Sequence, residues 1–185
     1  NLEPVYHTGS TLVPMRLVLD NLGTPIAGIT DDIYGNTRST TTPDMGAIEF
    51  TPSGSALSGT YTIGTGGDYT TFQSARDALV ANAISGPVVF NILAGTYDEQ
   101  LLLNEMVGAS ATNTVTFQSA DANADSVIWQ TTTNSPVNYV LKLLGTDHIT
   151  LKNITFKNLG PTYSTNIRLS GVTDSVTIEH NPFLG

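Results

Sequence analysis

Apolar residues two apart recur along the second half of the chain at a nearly constant step. The pairs are Val88/Phe90, Val115/Phe117, Leu141/Leu143 and Ile167/Leu169, with first members 27, 26 and 26 residues apart. A second series, Leu101/Leu103, Val127/Trp129, Ile149/Leu151 and Val176/Ile178, runs beside the first. Residues i and i+2 share one face of a β-strand. A short strand recurring once per repeat, with others between, predicts a chain wound as a coil of stacked β-rungs. The eight residues of the first series are expected to be buried and stacked in columns, about 4.8 Å from rung to rung.

The clearest local repeat sets Thr146-Asp147-His148-Ile149-Thr150-Leu151 against Thr173-Asp174-Ser175-Val176-Thr177-Ile178, at an offset of 27 that Phe156 and Phe183 share. Each block opens on a Thr-Asp turn, where Asp can bond its own backbone two residues on. Each then enters an alternating strand with Thr150 or Thr177 facing out. Asn153 and Asn181 follow these strands. They read as turn residues, with a stacked Asn ladder inside the coil as the alternative.

One stretch carries a helical pattern. Phe72, Ala75, Leu79 and Ala83 lie on one face at helical spacing. Thr70-Thr71-Phe72-Gln73 has the form of a capping box, and Ser85-Gly86-Pro87 is a stop signal, placing the helix over residues 71–83. A lone amphipathic helix just before a β-coil makes sense as a cover for the first rung, which otherwise exposes an apolar interior and an unpaired edge.

Composition narrows the setting. The chain has 185 residues, no cysteine and a net charge of −9. Disulfides and thiolate metal sites are excluded, and a negative surface argues against nucleic acid or an anionic membrane as partner. The charge is uneven: residues 142–185 hold four of the seven bases against three acids. No apolar run approaches the ~20 residues of a membrane span, and no signal peptide is visible at Asn1. With 28 Thr and three Lys, the composition fits a secreted bacterial β-protein.

Residues 51–58 are small, polar and turn-forming, and read as a linker. Before them, Val13–Leu19 is apolar enough for a strand, and 31–38 and 43–50 read as irregular closing segments. Fifty residues with so few apolar positions make a poor independent core.

The residues on either side of the linker resemble known signatures. Gly67-Asp68-Tyr69-Thr70-Thr71-Phe72-Gln73-Ser74-Ala75, followed by Gly95-Thr96-Tyr97-Asp98-Glu99, resembles the opening of right-handed parallel β-helix proteins of the pectin-lyase-like superfamily. Asp32 to Phe50 resembles a different signature, D-x-x-G-x-x-R followed by D-M-G-A-x-E, which closes β-helix domains in large secreted bacterial surface proteins. The resemblance implies an all-β fold: a right-handed parallel β-helix with one short N-terminal capping helix over 59–185. It implies that residues 1–50 are the C-terminal tail of a preceding β-helix domain. The whole chain is then expected to be a window onto a longer tandem-domain polypeptide.

The superfamily hosts lyases, esterases, adhesins and passive stalks, so function must come from residues. The G-Y-Q-D-T and D-F-I-F-G motifs of pectin methylesterases are absent. Asp121 and Asp125 lie four apart and read as a solvated turn, or as part of a cation site if more oxygen ligands converge. His148 and His180 are 32 apart and off the repeat, His7 lies far away, and Asp147 and His148 as strand neighbours point to opposite faces. Trp129 and Tyr139 form either a sugar-stacking platform or, for Trp129, core packing. Asn153-Ile154-Thr155 fits a glycosylation sequon. No residue is assigned a catalytic, cofactor-binding or metal-ligating role, and no cofactor is expected. The leading expectation is a structural or adhesive segment of an extracellular surface protein or filament, with surface glycans or neighbouring copies as partners. The alternative is a polysaccharide-active enzyme or carbohydrate-binding module whose site lies outside these residues.

Overall fold

The computed structural model describes residues 19–49, 54–133, 137–161 and 164–185. The chain divides into two compact units, Asn1–Ala56 with Val80–Ala83, and Leu57–Leu79 with Ile84–Gly185. The expected strand over Val13–Leu19 lies, apart from Leu19, outside the described residues, as does His7.

The described part of the first unit holds together through polar side chains. The buried Asp32 carboxylate accepts the N–H groups of Tyr34 and Asn36 at 2.8 Å, the Asn36 side-chain amide at 2.8 Å and the Glu49 N–H at 3.1 Å. Gly35, at φ +81°, supplies the left-handed residue of that turn. Arg38 donates to the carbonyls of Gly46 and Asp44 at 2.9 and 2.7 Å and pairs with Glu49 at 3.3 Å. Asp44 accepts from Asn21 N–H at 2.7 Å. The acids and the arginine of the D-x-x-G-x-x-R and D-M-G-A-x-E patterns are thus the hubs of one hydrogen-bonded knot around the buried Ile48.

The second unit is a three-sided coil. Its strands are β1 Leu57–Ile63, β2 Ile84–Ile92, β3 Gly95–Asp98, β4 Leu101–Asn104, β5 Val115–Ser119 and β6 Val127–Thr131. They continue as β7 Tyr139–Leu144, β8 Ile149–Lys152, β9 Thr155–Asn158, β10 Thr165–Ser170, β11 Val176–Glu179 and β12 Phe183–Leu184. Helix α1, Phe72–Asn82, lies between β1 and β2. The first sheet runs β1-β2-β5-β8-β11, the second β3-β6-β9-β12 and the third β4-β7-β10. All of these pairings are parallel. Each full turn contributes one strand to each sheet, which is a parallel β-helix.

The columns differ from the expected ones. Val88/Phe90 and Val115/Phe117 stack on Ile149/Leu151 and Val176/Ile178 in the first sheet. Leu141/Leu143 and Ile167/Leu169 belong to the third sheet, above Leu101/Leu103. The steps are 27 from Val88 to Val115, 34 from Val115 to Ile149 and 27 from Ile149 to Val176. In the third sheet they are 40 and then 26. Longer corner loops therefore offset the middle turns, and the regular 26-residue step of the sequence crosses from one sheet to another. Seven of the eight first-series residues are buried or half-buried, whereas Leu169 is 52% exposed because it lies on the last described turn with no rung above it.

The interior is an aromatic and aliphatic stack. Phe90 lies on Phe117 at 4.7 Å, and Trp129, Phe156 and Phe183 follow one another at 5.4 and 5.7 Å. Helix α1 closes the first turn as expected. Phe72, Ala75 and Leu79 are buried, with Phe72 flat on Trp129 at 3.7 Å and Tyr97 edge-on at 5.1 Å.

The helix ends differ in detail from the expectation. Thr71, not Thr70, is the cap: its hydroxyl accepts the Ser74 N–H at 3.0 Å while the Ser74 hydroxyl accepts the Thr71 N–H at 3.2 Å. The free N–H groups of Phe72 and Gln73 point at the Glu99 carboxylate, 3.1 and 2.9 Å away. At the other end Ala83, at φ +58°, takes the left-handed place expected of a glycine. Ser85-Gly86-Pro87 already belongs to β2, at a register shift opposite β1 that accommodates a proline. β1 begins at Leu57, two residues inside the stretch read as linker.

Three outcomes test this account. Phe117→Ala, which empties a fully buried stack position, should cost about 3–5 kcal/mol in urea unfolding; a near-neutral result would remove Phe117 from the core. Glu99→Ala leaves two helix N–H groups without their carboxylate and should cost about 1–3 kcal/mol, with faster hydrogen exchange in the first turn of α1; unchanged exchange there would contradict the cap. For Asp32, burial pushes the carboxyl up, but bonds from Asn36, Tyr34 and Glu49 outweigh it and hold it down at about 2, against 3.8 when unfolded. Its contribution is therefore complete above 3.8 and is lost as pH falls through about 2. The Tyr34 and Asn36 amide NMR shifts should hold as pH drops past 3.8 and move only near 2; a midpoint near 3.8 would show the carboxylate free.

Candidate functional site

The opening signature turns out to be structural chemistry. Asp68 accepts the Thr62 N–H and hydroxyl at 2.7 and 2.8 Å, bonds that hold its carboxyl below the usual range. Tyr97 reaches with its hydroxyl to the carbonyls of Leu93 and Ile63 at 2.7 and 3.2 Å. A Cβ at Gly64, where φ is +134°, would meet that hydroxyl at 2.6 Å. Glu99 caps the helix, and its carbonyl accepts the Trp129 indole N–H at 2.9 Å. A cleft of about 380 Å³ lies here, among Thr65, Thr70, Thr96 and Asp98, but the Glu99 carboxylate on its wall is already committed.

The other sequence candidates separate. Asp121 accepts the hydroxyls of Ser119 and Ser126 at 2.5 and 2.7 Å and the Asn123 N–H at 3.1 Å. These bonds lower its pKa, led by that from Ser119. Asp125 engages Asn123 through its own N–H at 3.0 Å, so the turn is closed by the Asp121 carboxylate alone, and among the described residues no three His, Asp or Glu side chains are grouped to hold a metal ion. His148 and Ser175 share one left-handed corner before β8 and β11, and Asn153 and His180 share another after them. The histidines thus occupy two different corner positions. Asp147 accepts the Asp174 N–H one turn on, at 2.5 Å. Asn181 bonds the previous turn's backbone, donating to the Leu151 carbonyl and accepting from the Ile154 N–H, both at 2.8 Å, so it does not stack on Asn153. Trp129 is fully buried, whereas Tyr139 is half-buried on the third sheet and offers its carbonyl to Gln100 at 2.6 Å. They form no common platform.

The outer faces of two sheets differ in kind. On the first sheet one outward column reads Thr60, Val89, Thr116, Thr150, Thr177, and the next reads Thr62, Asn91, Gln118, Lys152, Glu179. This second column pairs internally. Gln118 donates to Asn91 at 2.9 Å, and Lys152 meets Glu179 at 2.9 Å, a bond that lowers the Glu179 pKa.

On the third sheet the outward column is Leu102, Lys142, Arg168, flanked by Asn104, Leu144 and Ser170. Lys142 and Arg168 are register partners on adjacent strands. Among the described residues neither side chain makes an ion pair or hydrogen bond. Like charges directly opposite in a sheet are destabilising, and an anion laid across them relieves the repulsion. The column carries two cations and no carboxylate or imidazole. The expected stacking of Leu141/Leu143 and Ile167/Leu169 already sets Lys142 beside Arg168, but sequence reading followed only the apolar members of each pair and passed over the residues between them.

No helix among the described residues is long and apolar enough to cross a membrane. No family model and no curated protein matches the chain. Among solved structures it resembles the pectin methylesterase of Aspergillus niger in two forms. The penultimately deglycosylated form, which keeps an N-acetylglucosamine stub, matches at TM-score 0.51 and 22% identity; the deglycosylated form matches at 0.52 and 21%. Each match covers 68% of this chain and 43% of the enzyme, so the chain spans less than half the enzyme's length. With its all-parallel sheets, the likeness shows that the chain folds as a right-handed parallel β-helix.

Proposed function

We propose that this chain is a glycan-binding segment of a secreted, multidomain β-helix protein, and that the outer face of its third sheet holds an acidic polysaccharide. The observation that carries the reading is the Lys142–Arg168 pair: two stacked cations without an acid partner, on a protein of net charge −9. The solved likenesses are named for their action on pectin methyl esters, and a polysaccharide freed of such esters bears regularly spaced carboxylates. Rungs stacked about 4.8 Å apart set these two bases one above the other at that interval. The hydrogen-bonded knot at Asp32 and Arg38, ahead of the coil's first strand in sequence, supports tandem domains, the first closing before the second opens. The likenesses found lend no support to an adhesive or filament role.

The reading is tested by titrating the chain with de-esterified pectin oligomers in calorimetry. Lys142→Ala and Arg168→Ala should each weaken binding by about tenfold or more, and added salt should weaken the parent in the same direction. Lys152→Ala, on the other sheet, should leave binding unchanged. No measurable binding, or equal binding by all four proteins, would overturn the proposal.

A further inference from the structure

The outward face of the third sheet changes character along the coil axis. Its residues are Leu102 and Asn104 on β4, Val140, Lys142 and Leu144 on β7, and Asn166, Arg168 and Ser170 on β10. Of these only Lys142 and Arg168 are charged, and Leu102 is the register partner of Lys142 on the side away from Arg168. The column therefore passes from hydrocarbon to two cations in one rung. Along β7 and β10 the outward neighbours of each cation are uncharged, so a ligand that meets both cations lies along the axis, across the strands.

We infer that this face selects an acidic polysaccharide at a boundary in its charge, with free carboxylates held at Lys142 and Arg168 and an uncharged unit laid over Leu102. The inference rests on the reading of the third sheet as a glycan-binding face, and it makes Leu102 the residue that sets specificity. Three observations support it. First, Leu102 is half-buried on the sheet. A carboxylate brought against it loses water and gains no partner, whereas an ester covers hydrocarbon there without that cost. Second, Glu105 follows β4 directly, is exposed, and makes no ion pair among the described residues. It stands three residues from Leu102, roughly 10 Å of extended chain, which is about one Debye length at 0.1 M salt. An anion over Leu102 meets that like charge. Third, residues 57–141 hold seven acids against Arg76 alone, while residues 142–185 hold three acids against four bases. The potential therefore grows more negative from Arg168 towards Leu102. Rungs formed after Gly185 would extend the column past Arg168 and leave the Leu102 end as it is.

The test is calorimetry of the 185-residue chain with three de-esterified pectin trimers. One keeps every carboxyl free, and the other two carry a methyl ester on one end unit or the other. Charge alone ranks the triacid first. With Leu102 selecting an uncharged unit, the better of the two monoesters should bind at least ~fivefold more tightly than the triacid. Leu102→Lys, which makes the third rung cationic, should reverse that order. Emission from the buried Trp129 should report an intact fold, since Leu102 faces outward. Should the lysine variant misfold, Leu102→Gln decides the matter by bringing the triacid and the better monoester within ~twofold of each other. A parent chain that binds the triacid at least as tightly as both monoesters, or a variant that keeps the parent's preference, would overturn this inference and leave the glycan-binding reading in place. Binding of none of the three trimers would overturn both.

Discussion

The coil depends on a single closure, the seating of α1 on its first turn. A parallel β-helix leaves an apolar cross-section at any end that nothing covers, and an 11-residue helix is too short to persist alone in water. Each therefore needs the other. Phe72 fills the opening by lying against Trp129, and Glu99 answers the helix's free N–H groups from the strand corner beneath. The arrangement joins a dispersion contact, which tolerates small shifts, to a charge-assisted one, which fixes direction. It also accounts for a sequence signature whose halves stand apart, with Gln73 and Glu99 separated by 26 positions: one half builds the helix start and the other delivers the carboxylate.

Beyond that closure the two units rely on different physics. The coil buries large apolar side chains in register. The described part of the first unit is stitched by carboxylates and a guanidinium bound to backbone, with little to bury beyond Ile48. Polar stitching of this kind is sensitive to ionisation, whereas aromatic stacking is not, so acid is expected to act on the two units through different groups.

The sequence made the coil legible because alternation and burial are both local signals. Val88/Phe90 and Val115/Phe117 could be paired by eye, as could Ile149/Leu151 and Val176/Ile178. The link between those two groups could not. Reading the period across a 34-residue turn required the length of a corner loop, and nothing in a hydrophobic pattern encodes a loop's path. Leu169 was misplaced for a different reason, since its neighbours in sequence match those of buried residues and only its place on the final turn exposes it. The cap was displaced by one residue because Thr70 and Thr71 both satisfy the pattern, and Ser74, a residue outside the usual Glu/Gln preference, completes the box. The cation pair was implicit in the 26-residue step from Leu141/Leu143 to Ile167/Leu169, and went unread because a hydrophobic pattern follows the inward residues and not the outward ones between them.

The unequal turns have a consequence for how such a molecule changes over time. Between the second and third sheets β4 follows β3 closely, while the segments leading to β5, β7 and β10 are longer. Lengthening a corner costs little, since closing a loop twice as long adds only about 0.6 kcal/mol, and the rungs on either side stay stacked. Insertions and deletions can therefore accumulate at the corners without penalty to the core, and each one shifts the spacing of every residue after it. Descendants of one ancestral coil keep the same cross-section while losing the fixed intervals that would let them be aligned, so kinship in this architecture outlasts its own written record.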